Sequence, residues 1–589
     1  MSRTITSDDA SPDDLAVVRD GVAVVRDALA VLAAALVEVD APAVTFEQPR
    51  NADFGDYASN VALQLAKRAR RAPQAIAVEL VERLKTDASA GALLAEASAI
   101  GGFINIRMAP AHWQALVRGV LAEPERYGTA PATGERVSLE FGSANPTGPL
   151  VVVQGRTLSL GATIASAMRM RGIAVHTEWI INDAGSQIET LGRSLYARYR
   201  QIAEPNFPMT ENGYPGDYLV TMAAALRERD GPRFDDEPEA MWLPFFSGYA
   251  RDAIVAGQQA TATRFGVTYD RWESERLLHR SGAVEAGIAA MRERGLVFEE
   301  DGAVWIRATA LGDTKDRVVV RSSGVPTYFG ADIAYHFAKL SRSDRAILIL
   351  GPDHHGYIAR LELIAKALGR PGAIRVIIAQ QMTLLRDGEI VSLSKRQGTL
   401  LELDEILGEV GVDAARFFFA MTSADSPMTF DLTLAIEQSN ENPVFYVQYA
   451  HARVASVERK APPELLARLD AGAVEFERLA EPSALALARR LADFPNVVES
   501  VARHDAPHRL ARYARGLASD FHAFYHECRI LSEDAALSVA RLALARATKL
   551  VLAKSLAILG VSAPERMARL DPADAPPGED PHAAPGTDL

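Results

Sequence analysis

The sequence predicts an α/β protein, with a doubly wound parallel sheet between an N-terminal α+β domain and a C-terminal all-α domain. Three observations predict it. The short apolar runs Val137 to Phe141, Val175 to Ile181, Ala346 to Gly351 and Ile374 to Ala379 are separated by helical stretches, as the crossovers of a parallel sheet require. Ahead of them, Ile100-Gly-Gly-Phe-Ile-Asn-Ile-Arg107 alternates as a strand does after its Gly-Gly turn. Beyond Ala424 the apolar spacing is mostly helical.

In chain order, residues 13 to 40 are Ala/Val/Leu-rich at helical spacing, and Phe46 to Asn60 reads as a loop with a Gly55-Asp56 turn. Ser59 to Lys67 and Pro73 to Lys85 read as two further helices, so an α+β domain is expected over 1–115, with a connection at 116–136. The parallel sheet is expected within 137–424, interrupted at about 195–270 by a polar, Pro-bearing insertion. Its first strand runs into Gly-Ser-Ala-Asn145-Pro-Thr-Gly-Pro-Leu150 and then a helix from about Val151 to Arg171. Such a unit sets backbone N–H groups at a helix start, where a phosphate or carboxylate is well placed. Helices are expected over 425–567. Residues 568–589 hold five prolines and five acids against one Arg, the composition of a disordered tail.

Composition narrows the class. At 589 residues, 48% hydrophobic and 24% charged, the chain has material for several cores. The single Cys528 excludes a disulfide framework and a Cys-based zinc cluster. No apolar run is long enough to cross a bilayer and the N-terminus is acidic and polar, so a cytoplasmic protein with no membrane partner is expected. The net charge of −13 argues against a general nucleic-acid coat but leaves room for a local basic face. His354-His355 follow an acid without further ligands at helical or strand spacing, so no metal site is expected.

Longer motifs occur in a fixed order: Glu140-Phe-x-Ser-Ala-Asn145-Pro-Thr-Gly-Pro-Leu150, Ile181-Asn-Asp-Ala-Gly185 with Gln187, and Asp353-His-His-Gly-Tyr357. Asn442-Pro443-Val-Phe-Tyr446-Val-Gln-Tyr449-Ala-His-Ala-Arg453 and Ala563-Pro-Glu-Arg-Met567 follow, and Gly55-Asp56-Tyr57-x-x-Asn60 and Gly102-Phe103-Ile-Asn105 precede them. With these the chain resembles the arginyl-tRNA synthetases, class I aminoacyl-tRNA synthetases, over roughly residues 40 to 567. The resemblance implies a class I Rossmann-type catalytic domain, an N-terminal domain reading the tRNA elbow through Phe103 and Asn105, and a helical anticodon-binding domain. Tyr446, Tyr449, Arg453 and Met567 would serve the anticodon end, although an aromatic stripe at helical spacing equally suits a core.

The resemblance also implies arginine, ATP with Mg2+ and tRNA(Arg) as substrates, no tightly bound cofactor, and a monomer. Glu140 and Asp332 would face the guanidinium, whose planar fork suits paired charge-assisted hydrogen bonds. Tyr328 stands four residues before Asp332 on a helix that Thr327 can cap, and Asn145 sits at the amino-acid end. Ser392-Leu-Ser394-Lys395-Arg-Gln-Gly398 resembles the "KMSKS" loop, in which Lys395 and Ser394 would stabilise charge on the transferring triphosphate. Gly155, Val151, Val153 and His354 would stand near the nucleotide.

One quartet departs from the family pattern. Where the family has His-x-Gly-His, this chain has Val151-Val152-Val153-Gln154. Val151 removes one imidazole, Gln154 keeps a neutral donor in a catalytic position, and Val153 sets an isopropyl group against the nucleotide. Losing one such donor costs about 3 to 4 kcal/mol, so two losses and a steric block predict a rate lowered by about 10⁴-fold or more, unless Arg156 or His354 compensates. Three readings stay open: an arginine–tRNA ligase, a paralogue that binds arginine or tRNA without activating the amino acid, and an enzyme repurposed to act on arginine in small-molecule metabolism.

Overall fold

The computed structural model describes residues 13–37, 43–47, 49, 51–391 and 401–567. Ser394 and Lys395, and the tail read over 568–589, lie outside the described residues.

The N-terminal part comprises α1 (Asp13–Val37), β1 (Tyr57–Ser59), α2 (Val61–Ala69), α3 (Pro73–Thr86), β2 (Leu94–Ile100), β3 (Phe103–Met108) and α4 (Pro110–Ala122). β3 is the middle strand, antiparallel to both β1 and β2. The β2–β3 turn needs glycine at 102. Its φ is +87°, and a Cβ there would meet Pro73 and Leu63 at 2.8 and 3.0 Å. α4 runs through the boundary expected at residue 115. Trp113, Leu116, Val117 and Val120 are buried, and the helix packs on α1 as well as on C-terminal helices, so no linker begins there.

The α/β layer follows: β4 (Arg136–Phe141), α5 (Val152–Met170), β5 (Ala174–Ile181), α6 (Ser186–Gln201), α7 (Asp217–Asp230), α8 (Glu239–Arg264) and β6 (Arg271–Ser274). Next come α9 (Glu275–Arg280), α10 (Ala283–Arg292), the small antiparallel sheet β7 (Val297–Glu300), β8 (Ala303–Ile306) and β9 (Arg317–Val320), then α11 (Tyr328–Arg342), β10 (Arg345–Leu350), α12 (Ile358–Ala367) and β11 (Ile374–Ile378). The central sheet has the order β11-β10-β4-β5-β6, and every neighbouring pair is parallel. The chain leaves β4 toward β5 and later returns to β4's other side, so the topological switch point lies between the C-terminal ends of β4 and β10. The inserted module begins earlier than residue 195, because α6 supplies Leu191 along with Tyr196 and Tyr199 to a core shared with α7 and α8. There Tyr196 stacks on Trp242 with ring centroids 3.7 Å apart.

A second small sheet closes the layer: β12 (Met382–Arg386), β13 (Glu389–Val391), α13 (Leu403–Val410), α14 (Val412–Met421), β14 (Met428–Asp431) and α15 (Leu432–Ile436). β14 pairs parallel with β12, so the α/β part extends past the boundary read at residue 424. The C-terminal part is helical: α16 (Pro443–Lys460), α17 (Pro463–Asp470), α18 (Pro482–Ala492), α19 (Phe494–His504), α20 (Pro507–Glu527) and α21 (Ala535–Leu559).

The helix leading from the quartet is seated on the first strand by one small residue. A Cβ on Gly161 of α5 would lie 2.1 Å from the Phe141 ring of β4, and both residues are buried. Gly161→Ala is expected to destabilise the protein by about 1–3 kcal/mol through overpacking. Denaturant unfolding measures this, and an unchanged midpoint would show that α5 and β4 are not held so closely.

Candidate functional site

A cavity of about 580 Å³ opens at the switch point. Its walls are Gly142 and Ser143 after β4, Val151 to Gln154 at the start of α5, Gly351 to His354 after β10, and Gln380 and Gln381 after β11. Size and position are those of a nucleotide-sized site in an open α/β sheet.

The start of α5 is not the open set of N–H donors that the sequence suggests. Val151 is extended (φ −99°, ψ 159°), and its N–H donates to Gln154 Oε1 at 2.7 Å. The Val152 N–H donates to the Leu401 carbonyl at 3.1 Å, and the Leu403 N–H to the Leu150 carbonyl at 2.8 Å. The quartet segment is thus paired with the chain that leaves the Ser394-Lys395 loop. With Oε1 engaged as a cap, Gln154 keeps its Nε2 as the donor available to the cavity. Val153 is 41% exposed and lines the cavity without filling it. Gly155, expected near the nucleotide, packs elsewhere: a Cβ there would meet Leu403 and Phe419, each at 2.8 Å. His354 is exposed on the cavity wall, its ring edge-on to Tyr357.

Beside the cavity lies a cluster of carboxylates. Thr327 caps α11 as read, its Oγ1 accepting the Gly330 N–H at 3.2 Å. Tyr328, in the first turn, is 73% exposed, with its hydroxyl beside Gly185. Asp332 lies 2.5 Å from the Arg360 guanidinium, which also stands over the rings of Phe329 and Tyr357. Burial pushes the Asp332 carboxyl up; Arg360 and Tyr357 oppose the shift and Glu140 adds to it. One acid beside Asp332 was missed in the sequence. Glu275, at the start of α9, has its carboxyl pushed up to about 7 by burial, then by Asp332 and Asp183. Asp183 accepts from Ser274 Oγ and the Arg276 N–H. The available signal was an acid directly after a parallel strand, but β6 has only four residues and abuts the insertion.

Glu140 does not form a facing pair with Asp332 for a guanidinium. Its Oε2 accepts from the Tyr335 hydroxyl at 2.8 Å and is ion-paired to Lys339, which has no exposed surface. Lys339 also lies 3.7 Å from Glu178, which Arg342 bridges at 2.7 Å. Burial pushes Glu178 up, but Lys339 and Arg342 outweigh it and hold the carboxyl below its usual range. The reason is placement: Glu140 points from β4 to the face that α11 covers. Its Oε1 lies 3.4 Å from Ser143 Oγ at the cavity wall. Asn145 is exposed, its Oδ1 accepting from Asn182 Nδ2 at 3.0 Å.

The remaining expected residues divide. Phe103 is 42% exposed at the tip of the β2–β3 hairpin. Asn105 is 6% exposed in the middle of that small sheet, so it does not share the surface with Phe103. On α16 the Arg453 guanidinium stands 4.6 Å from the centre of the Tyr449 ring and 4.9 Å from that of Tyr525 on α20, while Tyr446 packs on His522. Met567 ends the described chain, just after the Pro564 and Glu565 carbonyls that bond to His451 and Arg459 of α16. Among the described residues no group of three or more His, Cys, Asp or Glu could hold a metal ion. Among them no helix is long and apolar enough to cross a membrane.

Comparison with known proteins agrees with this layout. Residues 23–108 match the arginyl tRNA synthetase N-terminal domain, 245–431 the catalytic domain of class I (R) tRNA synthetases, and 447–567 the DALR anticodon binding domain. The chain is 42% identical over 530 residues to an arginine–tRNA ligase of Syntrophotalea carbinolica, covering 89% of this chain and 95% of that protein. It is 41% identical over 531 residues to an arginine–tRNA ligase of Symbiobacterium thermophilum, covering 90% and 94%. The Thermus thermophilus arginyl-tRNA synthetase structure has the same fold, with a TM-score of 0.70 at 24% identity, covering 92% of this chain and all of that one.

Because Lys339 neutralises two buried carboxylates, Lys339→Met is expected to destabilise the protein by about 3–5 kcal/mol. Equilibrium unfolding tests it, and a loss below about 1 kcal/mol would mean that the carboxylates find other partners.

Proposed function

Since the chain belongs to the arginyl-tRNA synthetase family and is a class I arginine–tRNA ligase, we propose the following division of work within its site. Asp332 and Glu275 receive the arginine guanidinium, Tyr328 closes over it, and Asn145 with the second oxygen of Glu140 holds the amino-acid end. ATP lies in the switch-point cavity and brings Mg2+ on its phosphates. The arginine carboxylate attacks the α-phosphorus, pyrophosphate leaves, and a terminal ribose hydroxyl of tRNA(Arg) then takes the arginyl group from AMP. The observation that carries this reading is the acidic cluster opening beside a nucleotide-sized cavity, at the one point where the sheet reverses its strand order.

Gln154 Nε2 supplies the donor that the second imidazole gives in other family members, and Lys395 with Ser394 stabilises charge on the triphosphate. Phe103, Tyr446, Tyr449 and Arg453 contact the tRNA, and the chain works as a cytoplasmic monomer. Neither the arginine-sensing nor the small-molecule reading finds support in the relatives.

The reading is tested by aminoacylation of tRNA(Arg) and tRNA-dependent pyrophosphate exchange. Arginine transfer is expected with the native quartet, and Gln154→Ala should lower kcat about 10²-fold, as for one lost transition-state donor. Arginine binding without any transfer would overturn the ligase assignment.

Arginine affinity should also depend on pH. In the free protein the Glu275 carboxyl, pushed up to about 7, faces Asp332 and Asp183, which Arg360 and Arg276 accompany. An incoming guanidinium favours its carboxylate, so a proton leaves on binding. Affinity is then full above about pH 7 and falls by up to about tenfold per unit below it. Calorimetry in two buffers of different ionisation enthalpy measures the proton, and Glu275→Gln should abolish its release. A flat profile in the native protein would remove Glu275 from the pocket.

A further inference from the structure

We propose that Arg156 is a positioning residue that holds the platform of the Lys395 loop at a fixed distance from the start of α5. The proposal rests on the ligase reading above for its kinetic test but not for its geometry. Arg156 lies on the first turns of α5, two residues after the quartet, and is 1% exposed. Its Nη1 donates to the carbonyls of Gln380 at 2.6 Å and Gln381 at 3.4 Å. Its Nη2 donates to the carbonyls of Ser423 and Ser426, both at 2.8 Å. Four backbone acceptors thus take the four terminal N–H bonds of one guanidinium, so the group has no terminal N–H left for a phosphate.

The identity of those carbonyls gives the role. Gln380 and Gln381 lie between β11 and β12, and Ser423 to Ser426 lead into β14. β12 is the middle strand of the β13-β12-β14 sheet, and β13 ends at Val391, where the chain enters the Ser394-Lys395 segment. Arg156 therefore gathers both strands' entrances onto the helix that carries Val151 to Gln154. The far end of the segment is fixed to the same place through the pairing of Leu150 and Val152 with Leu401 and Leu403. Both ends of the Lys395 loop are in this way referred to α5, one by backbone pairing and one by a single side chain.

A purely structural arginine could equally be paired with a carboxylate, whereas this one is surrounded by carbonyls and is set in the wall of the cavity. Burial pushes its guanidinium down to about 10, with Asp425 opposing, so it keeps its charge at neutral pH. Lysine in its place cannot span the four acceptors, because one ammonium offers three donors from a single point.

The test is Arg156→Lys, with Arg156→Met as a second variant and full-length protein throughout. Arg156→Lys should lower kcat for tRNA-dependent pyrophosphate exchange by about 10²-fold and raise the KM for ATP about tenfold, the scale of a lost transition-state alignment. The arginine Kd from calorimetry should stay within about twofold, since the acidic cluster lies off this bracket. In a Lys395→Ala background the same substitution should have less than about a threefold further effect, because residues acting as one unit are not additive. Amide exchange over 382–391 and 401–403 should quicken at least about tenfold in both variants. Additive kinetic losses, an unchanged KM for ATP, or unchanged exchange would overturn the proposal. Native protein that transfers no arginine would overturn the ligase reading alone, and the exchange measurement would still decide Arg156.

Discussion

The ammonium of Lys339 has no exposed surface and lies between Glu140 and Glu178, neighbours across the β4–β5 register. Each of these charges alone would be strongly disfavoured in the interior, and together with Arg342 and the Tyr335 hydroxyl they satisfy one another. That mutual requirement fixes how α11 lies over the sheet. Asp332 stands two turns earlier on the same helix, and so is carried to the C-terminal edge of β4 and β5, where Glu275 leaves β6. The acidic pocket is in that sense a by-product of a buried charge centre one layer below it.

The parallel strands were readable because they are buried on both faces and so are written as continuous apolar runs. The start of α11 was readable for a local reason as well, since a threonine oxygen meeting an N–H three residues on needs no tertiary partner. What could not be read depends on contacts between distant segments. β6 has four residues, and β14 exists only because β12 offers it an edge. Glu140 was read as a ligand through the family resemblance, while its partner Lys339 lies 199 residues away on α11. Asn105 and Gly155 pack inward for the same cause: the residue type sets their chemistry, but neighbouring strands and Leu403 decide which way they face.

The quartet itself makes sense as backbone. β-branched residues favour extended conformations, and Val151 is extended and bridged to Glu402. Gln154 then closes the helix start by accepting the Val151 N–H with its own side chain, as the third helical residue does in a capping box. In this chain the segment pairs through its main chain with the exit of the Lys395 loop.

The His522 ring beside Arg453 carries a consequence for acid behaviour. Burial and the neighbouring guanidinium push this imidazole down to about 3 from its ordinary 6.5, so it stays neutral in the folded protein. Since Arg453 Nη1 donates to Nδ1 at 3.3 Å, the ring's proton sits on Nε2, a tautomer chosen by the arginine. In the unfolded chain the same ring takes up a proton below its ordinary 6.5. Acidification from there toward about 3 therefore favours unfolding of the helical domain, and full stability belongs to pH above that window. The aromatic and guanidinium stack on α16 and α20 keeps one charge pattern throughout the neutral range, at the expense of tolerance to acid.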